Sequence, residues 1–73
     1  LIAIKGSAIR MHEDRIEKCI EEICKIIGIS YENYFEERTL SQRIVMLKSA
    51  VFRKLNDINE HNAMNVMRLM VMI

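Results

Sequence analysis

Five basic side chains follow one another in the middle of the sequence with no acidic residue between them. Lysine and arginine in such a run are the residue types that contact nucleic-acid phosphates and release their counterions. On a helix, at about 100° per residue, these cations do not gather on one face. The alternative is therefore a solvated helix whose cations pair with acidic residues elsewhere in the chain. The candidate phosphate contacts are Arg38, Arg43, Lys48, Arg53 and Lys54.

The formal net charge of +1 hides a split between the two halves of the chain. Residues 1–37 carry five basic and eight acidic side chains, which gives −3. Residues 38–73 carry six basic and two acidic side chains, which gives +4. Oppositely charged halves attract each other within one molecule or between two copies, and the basic half is also suited to phosphate.

The C-terminal segment 63–73, AMNVMRLMVMI, is apolar almost all round, with Arg68 as its only charge. Methionine is flexible and polarisable and recurs on adaptable binding surfaces. Three interpretations are open for this segment. It associates with a second copy or a partner, it is buried inside a monomer, or additional chain covers it. We predict association, because 73 residues offer little surface to cover such a helix. The expected interface residues are Val45, Phe52, Met64, Met67, Leu69, Met70 and Ile73.

Residues that bind metals or act in catalysis show no informative spacing. His12 and His61 are far apart, and Cys19 and Cys24 lack the short spacing of a zinc site. Two cysteines also make no disulfide framework, so we expect buried thiols in a reducing compartment. The sequence has no glycine-rich phosphate loop and no nucleophile motif. We therefore expect no metal ion, no cofactor and no enzymatic activity.

A first helix is predicted from about His12 to Ile27. Its apolar residues recur at intervals of three and four, which forms one stripe on a period of 3.6 residues. Gly28 follows at once and suits the left-handed residue that ends a helix. The residues of the stripe are Ile16, Cys19, Ile20, Ile23, Cys24 and Ile27.

Two further helices are predicted from capping signals. Ser30 is a good N-cap for a short helix over residues 31–37. Thr39 and Gln42 resemble a capping box for a helix that runs from about Leu40 to Leu55 or Ile58. That helix has a second apolar set, Val45 and Phe52, at about 110–120° from its main stripe. A helix with two apolar faces is either central in its bundle or pressed against another chain.

The polar segment 56–62, NDINEHN, indicates a break before a last helix over residues 63–73. Without glycine or proline there, one continuous rod is the alternative. Residues 1–11 allow a short strand or a tail. With no proline and two glycines, an all-β fold is disfavoured. We predict one all-α domain over residues 1–73, a bundle of three or four helices with that short N-terminal strand as an option.

The apolar runs are shorter than the about 20 residues that a membrane span needs. The sequence also lacks the basic start, the apolar stretch and the small-residue cleavage site that mark a signal peptide. The sequence therefore predicts a cytoplasmic protein without a membrane partner.

The stretch IEKCIEEICKIIGISYENYF, residues 16–35, resembles the first two helices of the DNA-binding domain of the bacterial replication initiator DnaA. Gly28, Ile29 and Ser30 match its turn, and Arg38 stands where a basic residue follows the short helix. The resemblance covers about residues 16–54 and implies DNA binding. The glycine-rich turn and the Asp-His-Thr-Thr signature that carry base contacts in that family are not present in this sequence.

The chain also resembles the ribbon–helix–helix repressors. AIRM, residues 8–11, would be the strand, residues 12–27 the first helix, and Gly28-Ile29-Ser30 the turn before the second. This resemblance implies that two chains pair residues 7–11 and that Arg10 faces the major groove. The segment after Leu40 has no counterpart in that family.

Together these features predict a nucleic-acid-binding or regulatory helical module that acts as a homo-oligomer. The partner would be DNA or RNA. The alternative is a helical oligomerisation or adaptor domain with no nucleic-acid role, whose partner is another helical protein.

Overall fold

A computed structural model describes the backbone of residues 2–73 and the side chains of residues 12–73; Leu1 lies outside the described residues. Residues 2–73 contain no strand, so the predicted all-α bundle is confirmed. A short 3₁₀ turn, Leu55–Asp57, follows the third helix. The four α-helices are α1 (Ile2–Ile27), α2 (Tyr31–Phe35), α3 (Leu40–Lys54) and α4 (Glu60–Val71).

Helix α1 begins ten residues before the predicted start at His12, which corrects the expected strand or tail for residues 2–11. A helix that is already nucleated extends easily, since each added residue brings a hydrogen bond. Gly6 costs about 1 kcal/mol relative to alanine, which such an extension tolerates. Residues 7–11, the strand implied by the ribbon–helix–helix resemblance, therefore lie within α1.

The core is built on the predicted stripe of α1. All six residues of that stripe are buried, and α1 packs against each of the other three helices. Phe35 of α2, Leu47 and Val51 of α3, and Val66 of α4 complete the buried cluster. The central helix is thus α1 and not α3, although the two apolar sets of α3 had made it a candidate for that position.

The turn after α1 follows the local signals in the sequence. Gly28 has a φ of 78°. The carbonyl oxygen of Cys24 accepts hydrogen bonds from the amides of Gly28 and Ile29, at 2.9 and 3.0 Å. The bond from Ile29 is the 6→1 bond of a Schellman motif, and the bond from Gly28 is the 5→1 bond of the simpler left-handed cap. Both form because the left-handed residue lets the chain turn back on the last turn of the helix. The predicted end of the first helix is confirmed.

The predicted caps of α2 and α3 are present. The hydroxyl of Ser30 accepts from the amide of Asn33 at 3.4 Å, and α2 then ends at Phe35, two residues before the predicted end. The hydroxyl of Thr39 accepts from the Gln42 amide, while the Gln42 side chain accepts from the Thr39 amide, both at 3.2 Å. Each pair satisfies amides that the first turn of a helix leaves without partners.

The third and fourth helices are separate, which settles the alternative of one continuous rod. Ile58 and Asn59 have extended backbones between the 3₁₀ turn and α4. The Asn59 side chain accepts from the Asn62 amide at 2.8 Å, so α4 starts at Glu60 rather than at the predicted Ala63. Among the helices of residues 2–73, none combines the length and the apolar character that crossing a bilayer requires.

Candidate functional site

The five candidate phosphate contacts lie in different environments. Arg38 lies in the connection between α2 and α3, and Lys48, Arg53 and Lys54 lie on α3; all four are exposed. Within residues 12–73 none of these four forms an ion pair. Arg53 and Lys54 are adjacent and Lys48 lies about 140° from Arg53 around the axis, so the exposed cations form no single face.

Arg43 differs from the other four because its guanidinium is used inside the molecule. Its side chain is only 17% exposed. Its Nε donates to the carbonyl oxygen of Arg38 and its Nη2 donates to that of Glu36, both at 2.9 Å. Its Nη1 lies 2.7 Å from the Tyr31 hydroxyl and 3.4 Å from a Glu17 carboxylate oxygen. These bonds leave Arg43 the least suited of the five to contact a phosphate.

The contacts of Arg43 join α1, α2 and α3 at one point. The Tyr31 hydroxyl donates to the Glu17 carboxylate at 3.0 Å. Burial, and then the hydrogen bond and negative charge of Glu17, raise the pKa of Tyr31 to about 12. The nearby Arg43 opposes this shift. We name this group, Glu17, Tyr31 and Arg43, the polar clamp; it positions the start of α3 against α1.

The outward side of α4 is an apolar surface bordered by two opposite charges. Met64, Met67 and Val71 are 62, 55 and 85% exposed. They line one shallow depression together with Glu60 and Arg68. These five residues follow one another at helical spacing on a single face. We name this set, Glu60, Met64, Met67, Arg68 and Val71, the α4 outer face.

Helix α3 also carries exposed apolar side chains. Phe52 is 83% exposed and Val45 is 67% exposed. Leu55, one turn after Phe52, lines the same depression as Met64 and Met67. The second apolar set of α3 is therefore exposed, and Leu55 borders the α4 outer face.

Three residues of the predicted interface lie elsewhere. Leu69, Met70 and Ile73 are partly buried and pack against the core cluster. The physical reason is that α4 needs one apolar side to close the bundle around α1, and these residues share that side with Val66. These three residues thus face the core, whereas Val45, Phe52, Met64 and Met67 are exposed. The predicted interface itself stays a prediction.

Sequence reasoning missed Val71 and a second surface feature, a groove between α2 and α3. The groove has a volume of about 420 Å³. Met46 and Ala50 of α3 line it, together with Arg53 and Lys54. The spacing of four between Met46 and Ala50 was an available signal, since such residues lie on one side of a helix.

The two cysteines are buried free thiols. Burial, with a smaller contribution from the nearby Glu21 carboxylate, raises the pKa of Cys24 to about 11. A high pKa keeps the thiol protonated, and only a thiolate is a good nucleophile or metal ligand. Cys24 is therefore a packing residue of the core.

No protein-family model matches this sequence, and neither a curated protein nor a solved structure matches it. The resemblances to the DnaA domain and to the ribbon–helix–helix repressors stay predictions.

Proposed function

We propose that this protein is a helical association module whose α4 outer face pairs with the same face of a second copy. The observation that supports the proposal is the exposure of Met64, Met67 and Val71 on one side of a helix whose other side already closes the core. Exposed apolar side chains that lie together on a surface are typical of interaction sites.

Apolar burial alone would make this pairing marginal. Fully burying a valine or methionine side chain contributes about 1.5–3 kcal/mol. Six such side chains from two copies contribute an amount similar to the about 4–15 kcal/mol that association costs. Leu55, which lines the same depression, adds apolar area, and the charges on the face select the geometry.

The two charges of the α4 outer face are arranged for pairing with an identical surface. Glu60 and Arg68 lie eight residues apart, about 12 Å along the axis, with Met64 midway between them. If two copies of α4 cross antiparallel about a twofold axis near Met64, each Glu60 lies opposite Arg68 of the other copy. A parallel arrangement would instead place like charges together. The face is therefore self-complementary, as a twofold interface requires.

A charge exchange tests this arrangement directly. Glu60→Arg and Arg68→Glu each place two like-charged pairs in the interface, so each single variant is expected to weaken association about tenfold or more. Combining both changes restores opposite charges and is expected to restore association. Sedimentation equilibrium measures the dissociation constants.

Glu21→Arg and Lys18→Glu, at exposed positions on α1, are the matched controls. Both should dimerise as the wild type does. Circular dichroism separates weaker association from a loss of fold, since Glu60 lies at the favourable N-terminal end of α4. Association of the double variant that is weaker than that of both single variants would contradict the antiparallel arrangement.

Binding of nucleic-acid phosphates is the second candidate function. Its support is the exposure of Arg38, Lys48, Arg53 and Lys54 without ion pairs among residues 12–73. Fluorescence anisotropy with labelled duplex DNA and with RNA tests it at increasing salt. Charge neutralisation predicts a steep loss of affinity as the salt concentration rises. The slope of log affinity against log salt should become shallower by about 0.9 for each DNA phosphate contact that an alanine substitution removes. Absence of binding at low salt would exclude this candidate.

A further inference from the structure

The groove between α2 and α3 is a second surface, separate from the α4 outer face. Its floor is apolar and is formed by Ile29, Phe35, Met46 and Ala50. Phe35 is fully buried beneath it, whereas the other three are only partly buried. A volume of about 420 Å³ is within the usual range for binding pockets, so the groove can accept several apolar side chains.

The edge of this groove is aromatic and positively charged. Tyr34 lines it from α2, and Arg53 and Lys54 line it from the last turn of α3. Tyr34 is more than half exposed. Neither cation forms an ion pair within residues 12–73, and no carboxylate lines the groove. The charge at the edge is thus available to an acidic binding partner.

We infer that this groove binds an acidic amphipathic helix of a partner protein, with its apolar residues on the floor and its carboxylates against Arg53 and Lys54. Helices bind apolar grooves in this way through residues at spacings of three and four. Opposite charges at the edge of such a site increase the association rate and select among partners.

Within residues 12–73, neither α1 nor α4 of a second copy of this chain offers the required surface. The described part of α1, residues 12–27, carries exposed acids but no exposed large apolar side chain. The α4 outer face carries exposed apolar side chains, with Glu60 as its single acid. Neither of these two described surfaces combines several carboxylates with an exposed apolar stripe. We therefore assign the groove to a helix of a different chain, and this binding is independent of the proposed self-association.

The test uses a fluorescent synthetic peptide of about twenty residues, roughly 30 Å as a helix, with leucine at spacings of three and four and with glutamate and glutamine elsewhere. Saturable binding to the full chain is expected. A peptide with lysine in place of glutamate should not bind. Replacing both cations, as Arg53→Glu with Lys54→Glu, is expected to lower the affinity about tenfold.

The matched control is Arg38→Glu with Lys48→Glu, which reverses the same number of charges outside the groove. Its affinity for the peptide should be unchanged. Because acids are unfavourable at the end of α3, the milder pair Arg53→Gln with Lys54→Gln is measured too, and a several-fold loss is expected. Absence of saturable binding, or an equal loss in the control, would overturn the proposal. Duplex DNA that binds tightly and displaces the peptide would also overturn it and would assign the cations to phosphate.

Discussion

Helices α1 and α4 both bury one apolar side, but they differ in what their outer sides present to water. In the described part of α1, the stripe from Ile16 to Ile27 is buried and the opposite side is charged. In α4, Val66 is buried on one side while Met64, Met67 and Val71 are exposed on the other. Packing within the single chain thus buries the apolar stripe in the described part of α1 but leaves an apolar surface of α4 exposed. The residues that make the fold are thus distinct from the residues that are available for association.

The largest expected effect on stability comes from shortening a buried side chain in the apolar stripe of α1. Ile20 is fully buried, so Ile20→Ala should lower the free energy of unfolding by about 2–5 kcal/mol through lost burial and a cavity. Glu21→Ala, at the exposed neighbouring position, should change it by less than about 0.5 kcal/mol. Urea denaturation measures both. If both changes lowered the free energy of unfolding equally, the distinction between a buried and an exposed side of α1 would be contradicted.

The polar clamp gives the next largest effect, since it holds α3 against α1. Arg43→Met keeps an unbranched side chain but removes four hydrogen bonds. The free energy of unfolding is expected to fall by about 1–3 kcal/mol, because the Tyr31 hydroxyl and two carbonyl oxygens lose their charged donor. Lys48→Met, at an exposed position of α3, is the control. A loss as small as that of the control would show that the clamp does not stabilise the fold.

The two glycines of the chain, one inside α1 and one just after it, should respond in opposite directions to the same substitution. Gly28 has a φ of 78° and no atoms near an added Cβ, so Gly28→Ala costs about 1–2 kcal/mol from backbone strain alone. Gly6 lies inside the helix, so Gly6→Ala should stabilise it by about 0.5–1 kcal/mol. Thermal unfolding compares the pair. Destabilisation by Gly6→Ala would contradict the extension of α1 to Ile2.

Alkaline pH should weaken the contacts of α1. Burial raises the pKa of Cys24 from 9.0 to about 11 and that of Tyr31 from 10.0 to about 12. Both groups are neutral when protonated, so their contribution to stability is complete below the unfolded pKa and is lost as pH rises through the folded one. The Cys24 contribution is lost between about pH 9 and 11, and that of Tyr31 between about pH 10 and 12.

Tyr31→Phe should abolish the upper part of this pH dependence and leave the lower part. Stability measured by urea denaturation across the alkaline range gives the profile, with Tyr34→Phe, which removes an exposed hydroxyl, as the control. A Tyr31→Phe profile identical to that of the wild type would show that the clamp does not hold the Tyr31 proton.

The parts of the fold that depend on local sequence were predictable. The stripe of α1, the turn at Gly28 and the caps at Ser30 and Thr39 depend on residues within a few positions of each other. The start of α1 differs from the prediction, because glycine and serine at positions 6 and 7 are weak helix formers, whereas the downstream helix extends through them.

The candidate site was harder to predict for a physical reason. The contact between Arg43 and Glu17 joins residues 26 positions apart and exists only because α3 packs on α1. Helix α4 is apolar almost all round, so its sequence does not indicate which side faces the core. Tertiary packing decides that Leu69 and Met70 pack against the core while Met64 and Met67 are exposed.

The most direct test of the α4 outer face is the molar mass of the chain in solution over a dilution series. We compare the wild type with Met64→Glu plus Met67→Glu, and confirm by circular dichroism that both are folded. We predict that the wild type approaches twice the 8.6 kDa of one chain at high concentration. The double variant should stay at the mass of one chain. A wild-type protein that stays at 8.6 kDa at every concentration would contradict self-association through this face.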